Sequence, residues 1–404
     1  MPMLERPISK AGWTRVAFGD VVRLSKARVA DPEAAGIERV VGLEHIEPGD
    51  LRIRRWGDVA DGTTFTTLFK PGQVLFGKRR AYQRKVAVAD FEGVCSGDIY
   101  VLEPANDRLM PELLPFLCQT DAFFDHAVGT SAGSLSPRTN WTSLASFEFL
   151  LPPIQEQARL VDALSSARDL VEKTQELVNS FNVLYEATSL QAFSKPVGSG
   201  IKPTDWRLAG WQVVQLGDLI ASDAPICYGI VQVGEYTPDG VPTLAIHNLS
   251  GNFVDNIHRA PASVERAYQR SRVAPGDVVI SIKGTIGEIA LVPQHFAGNL
   301  SRELAKLRFN RGLIDPQFFL HLYASPAFRR YTSSLIVGST RAELSIDTLR
   351  KMQVPVPDLS VQAQIVEQLD RIQVAAGGAK ARLEAARRTI IRLIEAALSG
   401  VGDQ

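Results

Sequence analysis

The densest chemistry in the chain is the stretch FGKRRAYQRKVAV, Phe76 to Val88. Five bases fall within eight positions (Lys78, Arg79, Arg80, Arg84 and Lys85), with Tyr82 and Gln83 between them. Arginine presents a planar fork that fits the edge of guanine, glutamine can bond adenine twice, and lysine mostly meets phosphate. The plainer alternative is a solvated basic hairpin. Upstream, LRIRRW adds Arg52, Arg54 and Arg55, so residues 52 to 85 carry nine bases against two acids, Asp58 and Asp61. The whole chain balances 44 bases with 44 acids, and Ile154 to Ala192 holds six acids and three bases. Charge is therefore segregated along the chain rather than absent, and a local field can act on a charged partner.

Catalytic alternatives fare worse. GQVLFGKR (Gly72 to Arg79) has the spacing of a phosphate loop, but Arg79 stands where Ser or Thr belongs. The intervening QVLF is a strand-like apolar run, whereas that loop must turn its amides towards a phosphate. No NPPY-type amino-methyltransferase motif, glycine-rich dinucleotide fingerprint, His-Glu-x-x-His or paired Cys-x-x-Cys occurs. The six histidines (His45, His126, His247, His258, His295 and His321) are scattered, which favours structural or surface roles. No metal site and no bound cofactor is expected. Cys95, Cys118 and Cys227 follow no ligand spacing and fit a reducing cytoplasm. No apolar run approaches a membrane span, and the first residues lack the apolar core of a signal peptide.

Other candidate contacts sit on loops. GTSAGSLSPRTNW offers Ser131, Ser134, Arg138 and Asn140, and VGSTRAELSID offers Ser339, Thr340 and Arg341. SIKGTIGEIAL offers Lys283 and Thr285, and AIHNLSGNF offers His247 and Asn248. Small polar and basic groups of this kind suit phosphates or base edges, although plain loop chemistry explains many of them.

These candidates come in pairs because the chain repeats itself. LPPIQEQARLVDAL (Leu151 to Leu164) returns as VPDLSVQAQIVEQL (Val356 to Leu369), offset by 205 residues. GWTRVAFGDVV returns as GWQVVQLGDLI at an offset of 198, and KPGQVLFGKRRA returns as APGDVVISIKGT. LMPELLPFLCQTDAF likewise returns as IDPQFFLHLYASPAF. Each half reads as a globular segment followed by a long helix. GQVLFG, KVAVA, DIYVLEP and FEFLLPP predict strands in the first half, with GDVVISIKG, EIALVP, LAKLRFN and MQVPVP in the second. A helix or a helix pair is expected over MPELLPFLCQTDAFFDHAV, and likewise over DPQFFLHLYASPAFRRYTSS.

The long helices carry a heptad seam. Leu160, Leu164, Ala167, Val171, Thr174, Val178, Phe181, Tyr185 and Thr188 step by four and three. Ile365, Leu369, Ile372, Ala376, Ala379, Leu383, Ala386, Ile390, Leu393 and Ala397 repeat the pattern. A 3.5-residue period keeps one apolar edge turned to a partner helix. The expected architecture is α+β: two tandem pseudo-symmetric lobes separated by two long helices packed as an antiparallel coiled coil. The expected domains are residues 1–152, a helix over 153–195, a second lobe over 196–357 and a helix over 358–404. The pair Gly377–Gly378 is expected to bend or loosen the second helix.

Two lobes, each closed by a proline-rich strand, a P-x(3-4)-Q-x-x-[IL]-V junction and a heptad helix, resemble the specificity subunit of type I restriction-modification systems. The resemblance covers essentially the whole chain. It implies a non-catalytic subunit whose lobes are target-recognition domains, each reading one half of a bipartite, asymmetric double-stranded DNA sequence. It implies helices that fix the gap between half-sites and dock two methyltransferase subunits, with restriction-motor subunits joining them. S-adenosylmethionine, ATP and Mg would then belong to those partners, in a bacterial or archaeal cytoplasm. Two alternatives stay open: the specificity module of another phage-defence methyltransferase, and a tandem-lobed protein-interaction scaffold.

Overall fold

Two Pro-Gly turns show how closely the halves share a plan. Gly72 and Gly276 both adopt φ +86°, the left-handed conformation that a type II turn demands at its third residue. Gln73 N donates to Lys70 O at 3.2 Å, and Asp277 N donates to Ala274 O at 3.0 Å. The same two residues fasten the turn again through their side chains. Gln73 Oε1 accepts from Lys70 N at 2.8 Å, and Asp277 Oδ2 from Ala274 N at 2.9 Å. Each turn launches a strand buried on both faces, Val74–Gly77 and Val278–Ser281, which explains their unbroken apolar runs.

The computed structural model describes residues 10–194, 210–250, 253–336 and 343–398. It divides into two units, Met1–Glu176 with Lys380–Gln404, and Leu177–Ala379. In the first unit, Val74–Gly77 lies between Ile99–Pro104 and Val86–Val88 in an antiparallel four-stranded sheet that Val22–Leu24 completes. A second sheet orders Gly57–Asp58, Arg39–Val41, Gly93–Cys95 and Thr67–Phe69, with its middle pair parallel. Thr14–Ala17 pairs antiparallel with Glu148–Leu151 and joins the start of the lobe to its end.

The second unit repeats this order. Cys227–Tyr228, Leu304–Leu307, Val278–Ser281 and Ile289–Leu291 form the antiparallel sheet. His258–Ala260, Val241–Leu244 and Asn299–Leu300 form the smaller one, again with one parallel pair. Gln212–Gln215 pairs with Gln353–Val356. Every strand expected from the sequence is present. The helix pairs are present too, Leu114–Leu117 with Asp121–Gly129, and Pro316–Ala324 with Pro326–Ser334. Aromatic side chains fill both cores, among them Phe18, Phe76 and Phe123 in one and Phe318, Phe319 and Phe328 in the other.

Two helices, Ile154–Ser194 and Leu359–Leu398, account for the heptad patterns. Within the first unit Leu164 and Ile394 share a core, and Arg387 Nη2 donates to Gln175 Oε1 at 3.1 Å. Later positions on one helix therefore meet earlier positions on the other, and the segments run antiparallel. Within the second unit Phe193 shares a core with Ile365 and Leu369. Leu164, Ile365, Leu369 and Leu383 are buried. Leu160, Val171, Val178, Phe181, Ile372, Ile390 and Leu393 are half-buried. The helix Leu359–Leu398 runs through Gly377–Gly378 without interruption. Both glycines are exposed, so no packing requirement breaks the hydrogen-bond ladder there.

Candidate nucleic-acid interface

The junction between lobe and helix comes first, because it sets where any surface points. Gln157 is fully buried, and its Nε2 donates to Arg108 O at 2.7 Å and to Pro152 O at 2.9 Å. Its Oε1 accepts from Met110 N at 2.8 Å. Gln362, equally buried, repeats all three bonds: to Leu313 O at 3.1 Å, to Pro357 O at 2.8 Å, and from Asp315 N at 2.8 Å. A glutamine is needed because only an amide donates twice and accepts in so small a space. The P-x-x-x-x-Q spacing shared by Pro152–Gln157 and Pro357–Gln362 is the sequence signal of this clamp.

The basic cluster of the first lobe forms a tight turn between Val74–Gly77 and Val86–Val88. Its centre is a short 3-10 segment, Ala81–Gln83, flanked by Arg80 and Arg84, both left-handed at φ 54° and 55°. Such conformations cost a non-glycine residue about 1 kcal/mol or more, and here backbone bonds hold them. Arg80 N donates to Pro137 O at 2.7 Å, and Arg84 N donates to Ala81 O at 2.9 Å.

Four of the five bases brace this turn from within. Lys78 lies 4.6 Å from the Tyr100 ring, and burial lowers its pKa. Arg79 donates to Ser136 Oγ at 2.7 Å and pairs with Asp98 at 3.2 Å. Arg84 donates to Gln119 O at 3.0 Å, pairs with Asp121 at 2.5 Å and covers the Phe124 ring. Lys85 Nζ donates to Leu43 O at 2.6 Å. Arg80 is exposed, Tyr82 is 56% exposed, and Gln83 sits half-buried beside them. The tip thus presents one guanidinium, one phenol and one amide.

The other first-lobe candidates divide similarly. Arg138 pairs with the far oxygen of Asp98 at 2.8 Å, and a backbone bridge joins Arg79 to Arg138. The guanidiniums of Arg138 and Arg79 overcome burial and hold the Asp98 carboxyl below its usual range. Asn140 caps the helix Trp141–Ala145, accepting from Ser143 N at 2.8 Å, whereas Ser134 is exposed. Ser131 Oγ donates to Ala127 O at 2.7 Å. Arg52 pairs with Glu172 of the acidic helix at 2.9 Å, Arg54 pairs with Asp50 at 2.6 Å, and Arg55 pairs with Glu47.

In the second lobe Lys283 occupies the place of Arg79, pairs with Glu343 at 3.1 Å and is bridged to it through the backbone. Thr285 is exposed at the tip, between left-handed Gly284 and Gly287. His247 is exposed and its Nε2 lies 3.3 Å from Asn256 O. Asn248 is buried: its Oδ1 accepts from Ala245 N at 2.9 Å and its amide donates to Asp255 O at 3.2 Å. That bond to Ala245 mirrors Gly42 N donating to His45 Nδ1 at 3.0 Å in the first lobe, so Asn248 shapes a turn rather than a groove contact. Ser339, Thr340 and Arg341 lie outside the described residues.

Sequence reasoning missed three features. Asp98 organises the first tip, and the recurrence of Ser-Gly-Asp as Ser-Arg-Glu (Ser301 to Glu303) was its signal. Arg39 stacks on Trp56 at 4.5 Å, leaving the indole 45% exposed. Leu177, Val183, Leu184 and Leu190 lie off the seam and are 45–66% exposed on the central helix within the second unit. Among the described residues no cluster could hold a metal, and no helix is long and apolar enough to cross a membrane.

The family described as Type I restriction modification DNA specificity domain matches residues 209–376. The Type I restriction enzyme EcoBI specificity subunit of Escherichia coli is 23% identical over 350 residues, 80% of this chain and 72% of that protein. The MjaVIII specificity subunit of Methanocaldococcus jannaschii is 21% identical over 414 residues, 95% of this chain and 92% of that one. The type I restriction-modification S subunit from M. genitalium shares the fold, with a TM-score of 0.59 at 14% identity over 98% of both chains.

Proposed function

We infer that this chain is a specificity subunit of a type I restriction-modification system, a reading supported by the family match over residues 209–376 and by relatives that align over most of the chain. Its role is to recognise DNA. Residues 1–152 and 196–357 act as two target-recognition domains, each reading one half of a bipartite, asymmetric duplex target. The helices over 153–195 and 358–404 fix the distance between half-sites and dock two methyltransferase subunits, to which restriction-motor subunits are added. The chain is not itself an enzyme. S-adenosylmethionine, ATP and Mg bind the partners, and the complex works in a bacterial or archaeal cytoplasm.

The observation that carries this reading is the contrast between frame and tip. The two lobes repeat the same turns, bridges and clamps, yet one tip presents Arg80, Tyr82 and Gln83 and the other Thr285 with Lys283 behind it. A conserved frame with different tips suits two readers of different sequences. The exposed side chains Leu177 with Leu184 and Val183 with Leu190, two pairs seven residues apart on the central helix, support docking of a protein partner there.

The test uses the full chain co-expressed with its modification subunits. Replacing Arg80 and Tyr82 with alanine should weaken binding at the first half-site by about tenfold or more, with the second half-site still read. Binding should fall steeply with salt, since released counterions accompany phosphate contacts. Unaltered binding and methylation in the double variant would remove the tip from the interface, and salt-independent binding would reject a phosphate-reading role.

A further inference from the structure

The turn containing the missed acid is built identically in both lobes. Ser96 N donates to Val41 O at 3.0 Å, and Ser301 N donates to Leu244 O at 2.8 Å. Asp98 O accepts from Lys78 N at 3.0 Å, and Glu303 O accepts from Ile282 N at 2.8 Å. Ile99 N closes the first turn on Ser96 O at 2.9 Å, as Leu304 N closes the second on Ser301 O at 3.1 Å. Glu303 is therefore the positional counterpart of Asp98, and Arg302 stands where the first lobe has Gly97.

The surroundings of the two acids differ. Asp98 is neutralised by Arg79 and Arg138. Their counterparts in the second lobe, Lys283 and Glu343, pair with each other, because the residue in the place of Arg138 has reversed its charge. Among the described residues the Glu303 carboxylate keeps only a long contact from Ser301 Oγ at 3.5 Å. It lines a cavity of about 490 Å³ together with Arg302, Gln232 and His258. His258 Nε2 is itself buried without a hydrogen-bond partner, so the cavity wall holds polar capacity that the protein leaves unused.

An unpaired carboxylate on a DNA-facing surface repels phosphates, which makes it costly unless it accepts a hydrogen bond from a base. The groups that can supply one are the exocyclic amines of cytosine and adenine. We propose that Glu303 is a specificity-determining residue of the second lobe, accepting from such an amine in the second half-site, with Arg302 holding the neighbouring phosphate. This rests on the DNA-reading function proposed above.

The experiment is selection from a randomised duplex library by the full chain with its modification subunits, comparing wild type with Glu303→Gln, Glu303→Ala and Arg302→Ala. Glu303→Ala should lose about tenfold discrimination at one position of the second half-site, and Glu303→Gln, which keeps an acceptor but gains a donor, should shift the preference at that same position towards adenine. The first half-site stays unchanged and serves as a folding control within the same molecule. Arg302→Ala should weaken binding evenly across sequences and flatten its salt dependence. Retention of the wild-type second half-site by both Glu303 variants would overturn the proposal while leaving the DNA-reading function intact. Failure of the wild type to select any bipartite sequence would instead overturn that function, and this inference with it.

Discussion

At the scale of single residues, the chain relies on polar groups with no freedom left. Gln157 and Gln362 each make three bonds to backbone groups at a lobe-helix junction while wholly buried. Removing one amide strands buried backbone groups, so Gln157→Ala and Gln362→Ala should each cost about 2–3 kcal/mol in denaturant unfolding. Glutamate should not rescue either site, because a carboxylate has no N–H for Pro152 O or Pro357 O. Glu265 supplies a pH signature in the second lobe. The Arg272 guanidinium bonds it through both arms at 2.6 Å and, with Asn299, holds its carboxyl below the usual range despite burial. A depressed folded pKa stabilises above the unfolded value near 4.5 and loses that contribution as pH falls through the folded value. Thermal melts should therefore show an acid decline below about pH 4.5 that Glu265→Gln flattens. An identical acid limb in the variant would exclude Glu265 as its source.

At the scale of elements, the helices separate core duty from surface duty. Leu369 is fully buried, and Leu369→Ala should cost about 3 kcal/mol by loss of transfer energy and a residual cavity. Leu177 and Leu184 are exposed, so replacing both with serine should leave the melting temperature nearly unchanged. Under the proposed function the same change should weaken co-purification with the methyltransferase subunit, and undiminished capture would move the docking face elsewhere. Gly377 and Gly378 lie inside a continuous exposed helix, with nothing within 4 Å of an added Cβ. Alanine at either should stabilise by about 1 kcal/mol, measured by unfolding, because the helix keeps its geometry and the unfolded chain loses freedom.

At the scale of the molecule, the duplicated plan makes a ruler testable. One heptad inserted after Val178 and another after Leu383 would lengthen each helix by about 10 Å. That is roughly three base pairs at 3.4 Å each. Sequencing of methylated sites should then return both half-sites unaltered with a gap about three base pairs longer. A constant gap would show that something other than helix length sets the spacing.

The sequence by itself determined the repeat, the eight expected strands and the described seam positions: apolar runs mark strands buried on both faces, and a heptad period marks helices buried along one edge. Composition also marks the tip turn, since nine bases in 34 positions stand out in a neutral chain. Only the tertiary structure decided which of those bases face outward. Lys78, Arg79, Arg84 and Lys85 meet partners 19 to 57 residues away or across a ring, and no local pattern encodes such distances. The same holds for Asn248, drawn inward by a turn, and for Glu303, whose positional counterpart Asp98 is paired by two arginines while Lys283 pairs with Glu343 instead. Periodicity records whether a side chain is inside or outside; the identity of its partner is settled when distant segments meet.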